Sequence, residues 1–297
     1  MTSNGAVIRT DRPQVRRFRF LRRPKDFALR CLLYVAVMIG AVAFAIPFYW
    51  MVRTAVMPGR EVYSWPPVWI PSEIQLQHFA APFRAWPFER WFLNSGIVAT
   101  LTVLGVVTSA SIVGYGFACL RFRGRDQLFL IVLASMILPQ QVVLVPTYLL
   151  FVRLGWNNTF LPLIVPVWLG PPFFIFLLRQ FFMTIPREML EAAYIDGCSP
   201  LGTYFRIALP LSLPALGVCA IFAFTFAWND FLYPLIYLTR IDLYTVAIGL
   251  RLLQGMLGRN IQALMAAATL GALPTILLFF IAQRYFVQGI VITGVKG

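Results

Sequence analysis

Long stretches of predominantly apolar residues dominate the chain, and each reaches the roughly 20 residues that a helix needs to cross a membrane. In hydrocarbon, backbone polar groups must be paired within the chain, so stretches of this length form helices. The sequence therefore predicts an all-α, polytopic membrane protein with about six transmembrane helices. The predicted spans lie at about 29–52, 91–120, 127–152, 159–178, 211–238 and 261–283.

The composition leaves no room for a separate soluble domain. Of the 297 residues, 60% are hydrophobic and only 12% are charged, whereas a soluble domain carries roughly 25% charged residues. We expect a basic tail over 1–28 and one transmembrane domain over 29–297. The apolar run from 31 to 52 is longer than the about 7–15 residues of a signal-peptide core, which predicts an uncleaved first span.

The net charge of +14 is distributed unevenly along the chain, with nine of the 25 basic residues before the first apolar run. A basic block beside a span indicates membrane orientation and contact with anionic lipid rather than nucleic-acid binding. With six spans, 17 basic residues fall on the side of the N-terminus and eight on the opposite side. Both termini and the polar connection over 179–210 are therefore predicted to be cytoplasmic.

Several kinds of chemistry are disfavoured by what the sequence lacks. His78 is the single histidine, and the spacing of the four cysteines fits neither zinc nor a disulfide framework. The chain has no G-x-x-x-x-G-K-[ST] phosphate-binding loop, and its spans carry no His/Asp/Glu constellation. We expect no metal site, no catalytic residue and no ATP hydrolysis through a phosphate-binding loop of this kind.

Prolines interrupt the third, fourth and fifth predicted spans. A proline removes a helical hydrogen bond, and the carbonyl group that it leaves unpaired needs a partner in the protein or in water. Two interpretations stay open, since the prolines fit packing kinks and also helices that line a cavity.

The connection over 184–210 has the local pattern of two short helices at a sharp angle. Pro186 and Glu188 suit the start of a first helix, and Gly197 is placed to end it in a left-handed conformation. Ser199 can cap a second helix that begins at Pro200, and Pro210 is expected to stop it. The second helix carries an apolar stripe at helical spacing. The stripe consists of Leu201, Tyr204, Phe205, Ala208 and Leu209.

The pattern of this connection leaves two interpretations open. A rigid amphipathic knob of this kind could dock into a groove on a partner protein. The pattern alone favours the other interpretation, a helical hairpin packed on the membrane surface or against its own bundle.

Several short runs within the chain resemble a known family. Glu191-Ala192-Ala193, Asp196-Gly197 and Leu209-Pro210 resemble the EAA motif of ABC-importer permeases. Further runs agree, at 158–160, 176–182, 228–231, 283–289 and 294–297. Together they resemble the second permease subunit of the maltose/glycerol-phosphate-type carbohydrate importers, closely over about 90–297. Cys198 stands where a small residue such as alanine is common in the motif.

The resemblance implies a type I ABC importer permease fold in a bacterial cytoplasmic membrane. The 184–210 connection would be a coupling helix, with Glu191 facing a cytoplasmic ATPase dimer and Gly197 setting the docking angle. Partners would be that ATPase, a second permease subunit, an extracytoplasmic solute-binding protein and membrane lipid. ATP and Mg would bind in the ATPase, so this chain would hold no cofactor. The implied coupling residues are Glu191, Ala192, Ala193, Asp196, Gly197 and Pro210.

Asp230 is the one carboxylate placed inside a predicted span, and an ionisable group there is a candidate for function. Trp228, Asn229 and Tyr233 offer stacking and hydrogen bonding to a sugar. Aromatic packing at the membrane interface explains the same residues. The solute stays open between a sugar and a polyol, glycerol phosphate or other small molecule. An independent secondary transporter is the weaker alternative, because the chain has no clear internal repeat.

Overall fold

The computed structural model describes the backbone over 24–256 and 260–293 and the side chains over 27, 29–255 and 260–283. Within those ranges the chain is helical and contains no strand. Most of the predicted basic tail, up to residue 23, and the C-terminal run over 294–297 lie outside the described residues. The longer helices are α1 (Pro24–Val56), α2 (Phe88–Cys119), α3 (Arg125–Ser135), α4 (Gln140–Arg153), α5 (Pro172–Phe182), α6 (Arg187–Ile195), α7 (Leu213–Asn229), α8 (Leu232–Tyr237), α9 (Val246–Met256) and α10 (Ile261–Thr293).

Single helical turns connect the longer helices. Three of them follow α1, at Gly59–Val62, Leu76–Phe79 and Ala81–Ala85. The segments Leu161–Ile164 and Val165–Leu169 precede α5, and Ile241–Leu243 precedes α9. Between α6 and α7 the chain passes through Pro200–Thr203, Tyr204–Ala208 and Leu209–Leu211.

Among the residues that the structure describes, four segments are long and apolar enough to cross a membrane, namely Leu29–Val56, Phe88–Cys119, Leu161–Phe182 and Ile261–Gln283. Two bent pairs also qualify when each is taken as one span. The helices α3 and α4 meet at 94°, and Pro200–Leu211 meets α7 at 77°. The prediction of an all-α membrane protein is confirmed, and the four segments with the two bent pairs give four to six candidate spans, in agreement with the predicted number of about six. The predicted fifth span over 211–238 is divided, since α7 ends at Asn229 and α8 begins at Leu232.

The chain separates into two compact units, residues 1–50 and 51–297. The described part of the first unit belongs to α1. None of the most apolar window of Leu29–Val56 is buried. A helix that is apolar on all sides suits a lipid environment or a partner helix.

In the second unit, α2 packs against α5 and α7, and α7 packs in turn against α10. The larger core cluster includes Val106 of α2, Leu178 and Phe182 of α5, and Cys219 of α7. A Cβ atom at Gly114 would lie 3.2 Å from Leu178 Cβ, so α2 and α5 approach closely there. Small residues at such crossings are typical of membrane helices.

The first turns of α2 hold the segment that leads into α9. The Trp91 indole donates to the Ile241 carbonyl at 2.8 Å. The Asn94 amide donates to the carbonyls of Asp242 and Tyr244, both at 2.9 Å. The Val246 N–H donates to Ser95 Oγ at 2.8 Å. These bonds fix the turn at Ile241–Leu243 and the start of α9 to the first turns of α2.

Candidate coupling loop and solute pathway

The first helix of the 184–210 connection ends as its sequence predicts. Gly197 has φ +83°, in the left-handed region. Its N–H donates to the Tyr194 carbonyl at 3.0 Å, and the Cys198 N–H donates to the Ala193 carbonyl at 2.9 Å. This pair of bonds is the Schellman ending, which satisfies carbonyls at the helix terminus and turns the chain sharply.

The second helix begins as predicted but continues past Pro210. Ser199 Oγ accepts from the Gly202 N–H at 3.1 Å, which caps the segment that begins at Pro200. Tyr204–Ala208 then form a π turn, and the helix ends at Leu211. Proline clashes with the carbonyl four residues before it in an α-helix. The wider turn that precedes Pro210 relieves that clash, and the 77° bend follows directly.

One face of the connection is buried against α2 by contacts that the sequence did not reveal. The Tyr115 hydroxyl donates to the Pro200 carbonyl at 3.2 Å. The hydroxyls of Ser111 and Tyr204 are hydrogen-bonded at 2.7 Å in a buried position. Ala193 is also buried, so this member of the predicted motif packs inside the protein. Two side chains of α2 therefore link a membrane-spanning helix directly to the connection.

The opposite face of the connection exposes apolar side chains. Ile195 is 87% exposed, Leu201 63% and Phe205 58%. The predicted stripe is therefore divided, because Tyr204 and Ala208 point inward while Leu201 and Phe205 point outward. Of the predicted coupling residues, Glu191, Ala192, Asp196, Gly197 and Pro210 lie at the exposed surface. Large apolar side chains exposed on a connection that also carries exposed carboxylates are compatible with a protein–protein contact.

The residues proposed for the pathway occupy different environments. Trp228 is 5% exposed, its indole donates to the Gly271 carbonyl at 2.9 Å, and its ring stacks on Phe224. These contacts give Trp228 a structural role, because its side chain packs between α7 and α10. Asn229 is exposed, and its amide donates to the Thr225 carbonyl of its own helix at 2.9 Å.

Asp230 and Tyr233 lie at the interruption between α7 and α8. Asp230 Oδ1 accepts from the Tyr233 N–H at 3.3 Å. The Tyr233 hydroxyl donates to Gln140 Oε1 at 3.1 Å. Gln140 is the first residue of α4, directly after Pro139. Sequence reasoning identified that proline as an interruption but missed Gln140, because its partner is 93 positions away.

Metal coordination has no support in the part of the chain that the structure describes. No group of three or more His, Cys, Asp or Glu side chains lies close enough there to hold an ion.

The sequence matches the family model described as the binding-protein-dependent transport system inner membrane component over residues 17–292. The chain belongs to this family. The protein is thus a multi-pass transport permease, and the family is one of transport proteins rather than of enzymes.

Relatives of the permease are permease proteins of transport systems. It is 36% identical over 228 residues to the arabinooligosaccharides transport system permease protein AraQ of Halalkalibacterium halodurans, with 76% of this chain and 81% of that protein covered. It is 34% identical over 268 residues to the probable ABC transporter permease protein YurM of Bacillus subtilis, covering 89% and 88%. It is 31% identical over 268 residues to the sn-glycerol-3-phosphate transport system permease protein UgpE of Pectobacterium atrosepticum, covering 87% and 94%.

Solved structures agree with the fold of the permease. A chain of a bacterial ABC transporter involved in the import of the acidic polysaccharide alginate superimposes with a TM-score of 0.77 at 19% identity. The match covers 89% of the permease and 98% of that chain. At this identity the likeness concerns the fold, which is that of an ABC importer permease as predicted.

Proposed function

We propose that the permease forms half of the pathway of a carbohydrate importer and that the 184–210 connection docks on a cytoplasmic ATPase. The observation that carries the docking is the exposure of the apolar side chains of Ile195, Leu201 and Phe205. These side chains lie on a connection that the distribution of basic residues predicts to be cytoplasmic, which is the side on which the ATPase would lie. A partner protein would bury them, together with Glu191 and Asp196 on the same connection.

The remaining partners follow from the family. A second permease would complete the pathway, an ATPase dimer would bind ATP and Mg, and an extracytoplasmic binding protein would deliver the solute. This chain would hold no cofactor. It would lie in the bacterial cytoplasmic membrane with both termini inside, as a basic tail over 1–28 followed by one transmembrane domain over 29–297.

The carbohydrate class is supported by the names of relatives, which include permeases for arabinooligosaccharides and diacetylchitobiose. A permease for sn-glycerol 3-phosphate is also among them, so a phosphorylated or other small solute is the second candidate. ATP binding would close the ATPase dimer, and the docked connection would transmit that movement to α2 through Tyr115 and Ser111. Alternating access is then a two-state equilibrium that ATP and the loaded binding protein bias.

The first test is purification of the tagged chain from its host membrane in mild detergent, followed by mass spectrometry. We expect recovery of a second permease and an ATPase. Recovery of the chain alone, still active for uptake in liposomes, would contradict the proposal and favour a secondary transporter.

A substitution pair tests the docking. Gly197 and Gly155 both have positive φ, +83° and +70°, and an added Cβ atom would meet nothing within 4 Å at either site. Gly197→Leu and Gly155→Leu therefore impose similar backbone strain at different places. We expect both variants to insert, Gly197→Leu to lose coupled uptake, and Gly155→Leu to retain it. Equal uptake by the two variants would contradict docking through this turn.

A charge reversal tests the position of Glu191. We expect Glu191→Lys to reduce the amount of ATPase that co-purifies, because Glu191 is exposed on the connection that would dock. Glu89→Lys, at the start of α2, is the matched control on the predicted outer side. Undiminished association of the Glu191→Lys variant would remove Glu191 from the interface.

A further inference from the structure

The connection that follows α1 begins with a closed loop over 62–72. Two sets of hydrogen bonds hold its base together. The Gln75 N–H donates to the Val56 carbonyl at 2.7 Å. The Glu61 carboxylate accepts from the Ser72 N–H at 3.2 Å and also from the Ser72 hydroxyl. A compact surface loop whose ends lie together in this way is an Ω-loop, and such loops are frequently functional.

The loop carries no charged residue and exposes large side chains. Glu61 and Glu73 are the nearest charged residues on its two sides. Within the loop, Trp65 is 89% exposed, Ile70 80% and Tyr63 75%. Its three prolines fix φ at their positions and so restrict the conformations that the loop can adopt. Large apolar and aromatic side chains exposed on one short loop are compatible with contact to a protein or to a membrane.

The length of α1 puts the base of the loop at a membrane surface. Arg30 and Arg53 bound an uncharged run of 22 residues within this helix. At about 1.5 Å per residue the run is about 33 Å long, which matches a hydrocarbon core of about 30 Å. Val56 lies about one helical turn beyond Arg53. The loop therefore begins and ends close to the point at which the helix leaves the hydrocarbon, and Arg53, Val56 and the loop belong to the same compact unit.

Membrane lipid suits this loop better than a partner protein does. Trp and Tyr are enriched at membrane–water interfaces, where the ring enters the apolar region and the N–H or O–H stays hydrated. Ile70 adds an aliphatic side chain, and the loop has no charge that would oppose its entry into lipid. A protein partner selected by electrostatic complementarity would need charged groups, which the loop does not offer.

We propose that the 62–72 loop is an interfacial anchor, which inserts Trp65, Ile70 and Tyr63 into the lipid headgroup region at the end of α1. The hydrogen bonds between Glu61 and Ser72 and between Val56 and Gln75 would keep the loop beside the helix end. Interfacial aromatic residues help to set the tilt and depth of a membrane helix, so the anchor would fix the position of α1. This role depends neither on the solute nor on the ATPase.

The test is site-specific photocrosslinking in the full chain, produced in its host cells. The photoreactive amino acid p-benzoylphenylalanine replaces Trp65, Ile70 or, as the control, Arg84. Arg84 is exposed on the same connection but lies outside the loop, in the turn Ala81–Ala85. Phospholipid is labelled with tritiated glycerol before irradiation, and the permease is purified under denaturing conditions. Tritium on the permease measures crosslinked lipid, a band of higher mass reveals crosslinked protein, and unirradiated cells give the background.

We expect several-fold more tritium with the crosslinker at 65 or 70 than with the crosslinker at 84. A charge placed in the loop separates insertion from mere proximity to lipid. With the crosslinker at 65, Ile70→Asp should lower the tritium several-fold, whereas Gln77→Asp, outside the loop, should leave it unchanged. Equal tritium at all three positions, a crosslink from 65 or 70 to the binding protein or another protein in place of lipid, or unchanged tritium in the Ile70→Asp variant would each overturn the anchor.

Discussion

Asn158 illustrates how one residue of a family motif acts through its side chain. It has φ +57°, a left-handed conformation that asparagine tolerates better than most residues. Its Oδ1 accepts from the N–H and the hydroxyl of Thr239 at 2.7 and 2.8 Å, and from the Arg240 N–H at 3.3 Å. This amide oxygen, together with the Asn158 N–H that donates to the Tyr237 carbonyl at 2.9 Å, holds the segment after α8 against the loop before the fourth span.

Substitutions of Asn158 separate the side-chain bonds from the backbone strain. Asn158→Gly removes the hydrogen bonds alone and should destabilise the protein by about 1–3 kcal/mol. Asn158→Ala removes them and adds left-handed strain of about 1–2 kcal/mol. The midpoint of thermal unfolding can be measured by tryptophan fluorescence on the purified importer in detergent. It should be highest for the unaltered chain, lower for Asn158→Gly and lowest for Asn158→Ala. A midpoint for Asn158→Ala equal to that of unaltered chain would contradict this role.

At the scale of helices, α2 can approach the fourth span closely because Gly105 has no side chain. A Cβ atom at Gly105 would overlap the Trp168 indole, whose N–H donates to the Leu101 carbonyl at 3.0 Å. Gly105→Ala should therefore force the two segments apart and cost about 1–3 kcal/mol. Gly116→Ala is the matched control in the same helix, because an added Cβ atom there meets nothing within 4 Å. The unfolding midpoint should fall for the first variant only, and equal midpoints would contradict the close approach.

The hydrogen bonds of Ser111 and Tyr115 connect α2 to the coupling connection, and from them we predict an effect on transport. Ser111→Ala leaves the buried Tyr204 hydroxyl without its partner, and Tyr115→Phe releases the Pro200 carbonyl. Each variant should keep the ATPase bound yet lower the solute taken up per ATP hydrolysed several-fold. Thr108→Val is the control, because the Thr108 hydroxyl bonds to carbonyls of its own helix. A ratio unchanged in both test variants would show that this link does not transmit the movement.

The sequence predicts the ends of helices well, but it does not predict contacts between residues that are far apart in the chain. Gly197 and Ser199 behave as predicted because a helix end depends on a few neighbouring residues. The partners of Gln140 and Tyr115 lie 93 and 85 positions away. In a chain this apolar, helical periodicity indicates faces poorly, since lipid and core select similar side chains. The division of the predicted stripe at Phe205 and the interior position of Trp228 therefore needed the structure.

At the scale of the whole molecule, the distribution of basic residues sets a predicted orientation. Of the 25 basic residues, 17 lie on the side of the N-terminus when six spans are counted. The structure supports six spans only if each bent pair crosses the membrane once. A re-entrant bent pair would instead place the connections that follow it on the other side. Measuring the side of the membrane on which each connection lies therefore tests whether each bent pair crosses the membrane.

Single cysteines at Arg123, Ser72 and Thr239 measure this orientation. Arg123 lies between α2 and α3, Ser72 precedes α2 and Thr239 follows α8. In right-side-out spheroplasts, a membrane-impermeant maleimide should label Ser72→Cys and Thr239→Cys at once, and Arg123→Cys only after permeabilisation. Unaltered chain gives the background of the native cysteines. Labelling of Ser72→Cys but not of Thr239→Cys would mean that one bent pair enters and leaves on the same side. The coupling connection would then have to be assigned to a side anew.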